Sequence, residues 1–334
     1  MQSAIEKLKT QIERLSRIRL GNLPTPLEDL PRLSKLLAGP RILVKHDDYT
    51  GFGGGGNKIR KLEFIMADAL NKEVDVVITA GGVQSNHARE TAAAARKLGM
   101  NCVLVLVGEE PECYDGNLLL DRLFCAEVQF VRNFMEVNKV MENIADDLRK
   151  RGCMPYIIPL GGICPLGVIG YADCVLELIE QARKMGIRID YIVTATGSGG
   201  TQAGLILGVK ALNLDTKVLG ISVGTKAKLQ PLIANVVNDA AKLLELDLTV
   251  TSDEILIYDD YVGPGYGKCN QEIIDTIKLF SKTEAILLDP VYTGKAAWGL
   301  VDLIKKGKFE KKENVLFIHT GGIPVLPVYK NEFK

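Results

Sequence analysis

The 334-residue chain has no surplus of either charge, since 41 Lys and Arg stand against 41 Asp and Glu. Without a net field it has no global attraction for nucleic acid or an anionic membrane. It also lacks any apolar run near the ~18 residues that a membrane span needs. The first twenty residues, MQSAIEKLKTQIERLSRIRL, are charged throughout and have no apolar stretch of signal-peptide type. A soluble, cytoplasmic protein is expected. Histidine is scarce: His46, His87 and His319 lie far apart and without HExxH-type spacing, so no metal site is expected. The seven cysteines contain no CxxC pair, and most lie in or beside apolar segments. That pattern reads as buried reduced thiols rather than a disulfide framework.

Low-complexity linkers and fixed-period repeats are absent as well, so the length fits two intimately joined domains or one large one. Ile5, Leu8, Ile12 and Leu15 recur at helical steps and predict an amphipathic helix over the first twenty residues. Prolines then punctuate GNLPTPLEDLPRL, an extended approach to the core. From there β-rich runs alternate with helical stretches. RILVKHD, DVVITAGG, NCVLVLVG, MPYIIPLGG, DYIVTATG, KVLGISV, AILLDPV and NVLFIHTGG read as strands. NKIRKLEFIMADALNK and NHARETAAAARKLG read as helices. This alternation predicts an α/β architecture with a largely parallel sheet. Glycines cluster directly after several of these strands, and in open α/β sheets ligands bind at the carboxyl ends of strands.

Three of those loops carry candidate chemistry. TGSGGTQAGL follows a strand and opens a helix, so the N–H groups of Gly197, Ser198, Gly199, Gly200 and Thr201 can converge on an anion. The loop lacks the lysine of a nucleoside-triphosphate motif and the last glycine of GxGxxG, so a small phosphomonoester suits it better than a nucleotide. A tight turn that binds nothing is the alternative. In GGGGNKIRKLEF, Lys58 opens a helix beside four glycines and is placed to form an imine with a carbonyl. Arg60 and Lys61 follow, so a solvated basic patch is the competing reading. In GGVQSNHARE, Ser85 and Asn86 stand between strand and helix, where they can grip a carboxylate or simply cap the helix. His87 reads more readily as structural than as catalytic. An imine-forming lysine, a phosphate cup and a carboxylate grip together suit pyridoxal 5′-phosphate (PLP) and an amino-acid substrate.

GGNKIRKLEF, QSNHAR, TGSGGTQAGL, PGYG, LDPVYTGKA and FIHTGG together resemble a PLP-dependent group. That group includes D-cysteine desulfhydrase, L-cysteate sulfo-lyase and 1-aminocyclopropane-1-carboxylate (ACC) deaminase. The resemblance runs from about Pro24 to Tyr329. It implies fold type II, the tryptophan synthase β-like α/β fold, with two open, twisted, mostly parallel sheets and helices on both faces. It further implies a smaller domain, 52–165, inserted into a larger one made of 1–51 and 166–334, and a homodimer. Lys58 matches the PLP-bound lysine, and Asn86 matches a residue near the cofactor's phenolic oxygen. Gly197, Ser198, Gly199, Gly200 and Thr201 match the phosphate cup. Ser85 matches the serine at the substrate carboxylate, with Asn86 and His87 beside it. Tyr292 matches a ring-packing tyrosine, and Gly265 and Tyr266 a substrate-pocket segment. The implied catalytic set is Lys58, Ser85, Tyr266 and Tyr292.

Thr320 matches the position near the pyridine nitrogen, where a neutral hydroxyl suits β-elimination. ACC deaminases resemble one another in having Glu and Leu where this chain has Gly265 and Thr320. The implied reaction is therefore elimination of D-cysteine to pyruvate, ammonia and hydrogen sulfide. The alternative is L-cysteate with release of sulfite, and ACC ring opening is the least favoured. Arg89, Lys226 and Lys228 are candidates for holding a sulfonate, or else surface charges. The rival classes are a nicotinamide-dependent oxidoreductase and a non-catalytic binder of PLP or amino acids.

Overall fold

A computed structural model describes residues 2–224 and 229–334 of the chain. The strands are β1 (Leu27–Asp29), β2 (Arg41–His46), β3 (Val76–Gly82), β4 (Asn101–Val107) and β5 (Glu127–Val131), then β6 (Pro155–Ile157), β7 (Tyr191–Thr196), β8 (Lys217–Ser222), β9 (Leu256–Tyr258) and β10 (Asn314–His319). Around them lie α1 (Gln2–Glu13), α2 (Pro31–Leu37), α3 (Lys58–Asn71), α4 (Asn86–Lys97), α5 (Gly116–Leu123) and α6 (Val137–Lys150). The later helices are α7 (Pro165–Lys184), α8 (Gly200–Ala211), α9 (Leu229–Leu243), α10 (Gln271–Glu284) and α11 (Thr293–Lys305).

The strands form two sheets. The larger has the order β1-β2-β10-β7-β8-β9, and the smaller β5-β4-β3-β6. Every pairing is parallel except β1 with β2. The strands of the smaller sheet come from one continuous stretch of chain. Those of the larger come from both sides of it, and β10 closes the gap between β2 and β7. A parallel sheet covered on both faces needs continuous apolar strands. In β3 and β7 every residue is accordingly buried.

Two apolar layers sandwich each sheet. On one side of the larger sheet α7, α8 and α9 pack with Leu8 and Ile12 of α1. On the other lie α10, α11 and Phe317 of β10. The alanine-rich face of α4 packs on one side of the smaller sheet, and α6 on the other. Helices α7 and α8 touch so closely that a Cβ on Gly204 would collide with Tyr171.

Several expectations need correction. The amphipathic N-terminal helix ends at Glu13, short of the twenty residues expected. Ala285–Val291 is not a strand. Asp289 instead folds the chain back there, accepting the N–H groups of Val291, Tyr292 and Thr293 and the Thr293 hydroxyl. Of the seven cysteines only Cys102 and Cys174 are buried, and Cys113 and Cys125 are exposed. Nor are Arg60 and Lys61 a solvated patch, because both are fully buried. Arg60 pairs with Asp47 at 2.8 Å and Glu177 at 2.9 Å.

Candidate active site

The carboxyl ends of β3, β7 and β10 and the start of α3 converge on a cavity of about 380 Å³ between the two sheets. Its wall includes Lys58, Ser85, Asn86, His87, all of Gly197–Thr201, Tyr266, Tyr292 and Thr320. These candidates, spread over more than 260 positions of sequence, thus face one space.

Lys58 is the first residue of α3, and its amine lies 3.3 Å from Asn57 Oδ1. Burial holds the amine below its ordinary lysine value; Glu90 opposes this and Arg89 adds to it. A lowered value favours the neutral, nucleophilic amine. Asn57 also donates to Thr201 Oγ1 at 2.8 Å, which ties the lysine's helix to the start of α8.

The anion cup is built as its glycines require. Gly199 has φ +92°, a left-handed conformation that glycine adopts without strain, and it caps α8. The first N–H groups of a helix have no partner within it, so those of α8 are available to an anion. Beneath the cup lies Lys61, whose amine donates to Gly161 O at 3.2 Å. A Cβ on Gly200 would approach that amine to 2.7 Å. Burial, reinforced by Lys58, holds Lys61 well below the usual lysine range.

Opposite the cup, Ser85 caps α4 by accepting the Ala88 N–H at 3.2 Å. Capping and facing the cavity are therefore compatible roles here. Asn86 Oδ1 accepts from Asn117 at 2.8 Å and from Arg89 at 3.5 Å, which turns the amide N–H₂ toward the cavity. His87 Nε2 is 2.9 Å from Thr79 Oγ1, and burial pushes its pKa well down, so the ring is neutral. The Tyr266 and Tyr292 hydroxyls are 2.6 Å apart, and burial raises both phenols, which keeps them protonated.

Two candidates sit elsewhere. Gly265 is not in the cavity wall; it has φ +136°, and its carbonyl accepts from Lys295 at 2.6 Å. Arg89 is neither a surface charge nor a cavity donor. It is buried, and its guanidinium donates to Gly53 O at 2.5 Å and Gly55 O at 2.8 Å, clamping the glycine loop before Lys58. Lys226 and Lys228 lie outside the described residues. Sequence reasoning missed Asn57, Phe134 and Leu160, which also line the cavity. Asn57 could have been found from its place beside Lys58, but nothing in RNFME marks Phe134.

A neutral-leaning lysine amine faces a helix-start anion cup with a second buried lysine amine beneath it, inside a two-sheet α/β fold. PLP fits this arrangement, since its phosphate suits the cup and its aldehyde suits the amine. Fold and site thus define a PLP enzyme of fold type II. The chain belongs to the pyridoxal-phosphate dependent enzyme family, whose family model matches residues 18–321. It is 46% identical over 329 residues to a Pyrococcus abyssi (strain GE5 / Orsay) protein named "Putative 1-aminocyclopropane-1-carboxylate deaminase", covering 98% of this chain and 97% of that protein. A crystal structure of an ACC deaminase homologue is 42% identical, with a TM-score of 0.89 and 98% of each chain covered. A PLP-dependent aspartate racemase shares the fold at 18% identity, with a TM-score of 0.68 and 98% of each chain covered. Among the described residues no helix is long and apolar enough to cross a membrane.

Proposed function

We propose that the protein eliminates the β-substituent of D-cysteine, converting D-cysteine and water to pyruvate, ammonia and hydrogen sulfide. The observation that carries this reading is the neutral wall around Lys58: Phe134, Leu160, Tyr266, Tyr292 and the Thr320 hydroxyl. Bound PLP would withdraw electrons from the substrate's Cα. Lys58 Nζ takes the α-proton, for which a neutral amine is required. Ser85 and Asn86, with the start of α4 behind them, orient the substrate carboxylate. The Tyr266–Tyr292 hydroxyl pair supplies the proton that the departing sulfur needs as the C–S bond breaks. The cup at Gly197–Thr201 holds the phosphate throughout.

A sulfonate would be costly to bury without a cation. Among the described residues lining the cavity, Lys58 is the one Lys or Arg side chain, and burial favours its neutral form; L-cysteate is the alternative substrate. ACC ring opening is the second reading, favoured by the names of the relatives. Against it stand Gly265 and Thr320, where the deaminases resemble one another in Glu and Leu. The test is pyruvate release from D-cysteine, L-cysteine, L-cysteate and ACC in parallel. Pyruvate with equimolar sulfide from D-cysteine is expected. Preferential turnover of ACC, or sulfite release from L-cysteate, overturns the assignment.

A further inference from the structure

Behind Lys58, away from the cavity, lies a carboxyl that the reaction above does not use. Glu90 is fully buried in α4. Its Oε2 accepts the Ile59 N–H at 2.9 Å, in the first turn of the helix that Lys58 opens. Its Oε1 is buried without a hydrogen-bond partner. Arg89 Nη2 comes no closer to Oε1 than 3.7 Å, because that guanidinium is engaged with the glycine-loop carbonyls and Asn117. Gly56 closes over the same oxygen at φ +136°, and a Cβ there would collide with it. Loop, helix start and carboxyl therefore fit together only with glycine at position 56.

An unpaired carboxylate oxygen in such a place is unfavourable unless something offsets it. A carboxyl oxygen bonded to a first-turn N–H is favourable at the positive end of a helix. The Ile59 N–H, with the Lys58 N–H also directed at the carboxyl, supports its charged form but leaves Oε1 without a hydrogen bond. The charged groups facing Glu90 are Lys58 and Lys61 from α3 and Arg89 from α4, while Asp121 of α5 faces Arg89. The glycine loop contributes no titratable group.

We propose that Glu90 is a positioning residue for Lys58: it fixes the first turn of α3 and sets a carboxyl against the helix start that carries the lysine, whose charge governs how readily the amine releases and regains its proton. This inference rests on Lys58 being the PLP-bound lysine. Burial pushes the Glu90 carboxyl up to about 7, with Arg89 and then Lys58 pulling against it. The carboxyl therefore changes charge near neutral pH.

The test is Glu90→Gln, whose amide oxygen can still accept the Ile59 N–H while carrying no charge. Cofactor is stripped from the full-length protein and PLP is added back across pH 6–10. In this step Lys58 Nζ forms a C=N bond to the aldehyde carbon and the aldehyde oxygen leaves as water. Capture is followed by the visible absorbance of lysine-bound PLP, near ~410–420 nm. Capture needs the neutral amine, so the midpoint of the pH profile reports proton loss from Lys58. Removing a nearby negative charge should lower that midpoint by about one pH unit, with capture about tenfold faster below the wild-type midpoint. The melting temperature should be no lower than the wild type's at pH 6 and should exceed it at higher pH, where the buried carboxyl of the wild type ionises.

Superimposable profiles for the wild type and Glu90→Gln overturn the proposal and leave Glu90 as a helix-start cap. Should Glu90→Gln fail to fold, Glu90→Asp replaces it. A carboxylate withdrawn by one methylene must shift the midpoint in the same direction by a smaller amount, and an unchanged profile overturns the proposal. Lys58→Ala separates the two readings. If it still captures PLP with the same absorbance, the assignment of Lys58 itself fails. If it captures none while Glu90→Gln matches the wild type, only the role of Glu90 fails.

Discussion

Lys61→Met should make the cofactor-free protein more stable and its hold on PLP weaker. Lys61 is buried beneath the phosphate cup, with its amine donating to Gly161 O at 3.2 Å. Burial disfavours its charged form, so replacement by an apolar side chain of similar length removes a buried polar group from the free protein. Once a phosphate occupies the cup, the same amine faces a dianion. A unit charge pair about 5 Å apart contributes roughly 3 kcal/mol at an effective dielectric of about 20. Hydrogen bonds to charged groups contribute about 1.5–3 kcal/mol net. Protonating an amine that burial holds neutral offsets most of the Coulomb gain, so about the hydrogen-bond contribution remains and PLP affinity should fall about 10–100-fold in Lys61→Met. The assay is an absorbance titration of stripped protein with PLP and, in parallel, with pyridoxal, which has the aldehyde but no phosphate. Capture of pyridoxal should be unaffected, since Lys58 is intact. Equal losses for both ligands, or no loss for PLP, would refute the placement of Lys61 under the phosphate.

Lys58→Ala should abolish both the visible absorbance of bound PLP and pyruvate formation; full activity in the variant would dismiss Lys58 from the reaction. Thr320→Leu, combined with Gly265→Glu, should move activity away from D-cysteine toward ACC, read as the ratio of the two kcat/KM values. Part of any loss should appear as instability, because a glutamate at φ +136° is strained by about 1–3 kcal/mol. Asp121 supplies a pH prediction. Neither of its oxygens has a partner among the described residues, and burial raises its carboxyl to about 8, with Arg89 opposing. A carboxyl raised in the folded state opposes folding once the unfolded chain ionises, so stability should decline between about pH 4 and pH 8. Urea unfolding of Asp121→Asn should show a flatter decline and a gain of about 2–5 kcal/mol at pH 8. Parallel pH slopes for the two proteins would contradict this.

The strand–helix alternation and the glycine loops were legible because each is written locally, in an apolar run followed by small residues. The anion cup is the clearest case, since strand, glycines and helix start occupy one stretch. Residues whose character is decided by distant partners were not legible. Arg60 looks like surface charge until Asp47 and Glu177, the latter 117 positions away, surround it. The run Ala285–Leu288 has the composition of a strand. The N–H groups of Ala285 and Ile286 instead bond back to Ser281 O and Phe280 O of α10, that of Asp289 goes to the Thr293 hydroxyl, and Pro290 has none to give. β5 is not legible because EVQFV is only half buried at the edge of its sheet. Arg89 reads as a sulfonate ligand in the sequence because nothing in QSNHARE announces that its guanidinium folds back onto the carbonyls of Gly53 and Gly55.

The position of β10 between β2 and β7 bears on how the molecule is made. All strands of the smaller sheet have been synthesised by Ile157, so that sheet can pair while the rest of the chain is still being translated. The larger sheet has no such schedule. β2 leaves the ribosome early, yet its neighbour is Asn314–His319, some 270 residues later. Until that strand arrives, β1 and β2 are severed from β7, β8 and β9, and Thr320 is absent from the wall that Lys58 faces. A nascent chain can thus carry Lys58 without a complete pocket until β10 and Thr320 have joined, and cofactor loading belongs to the time after that.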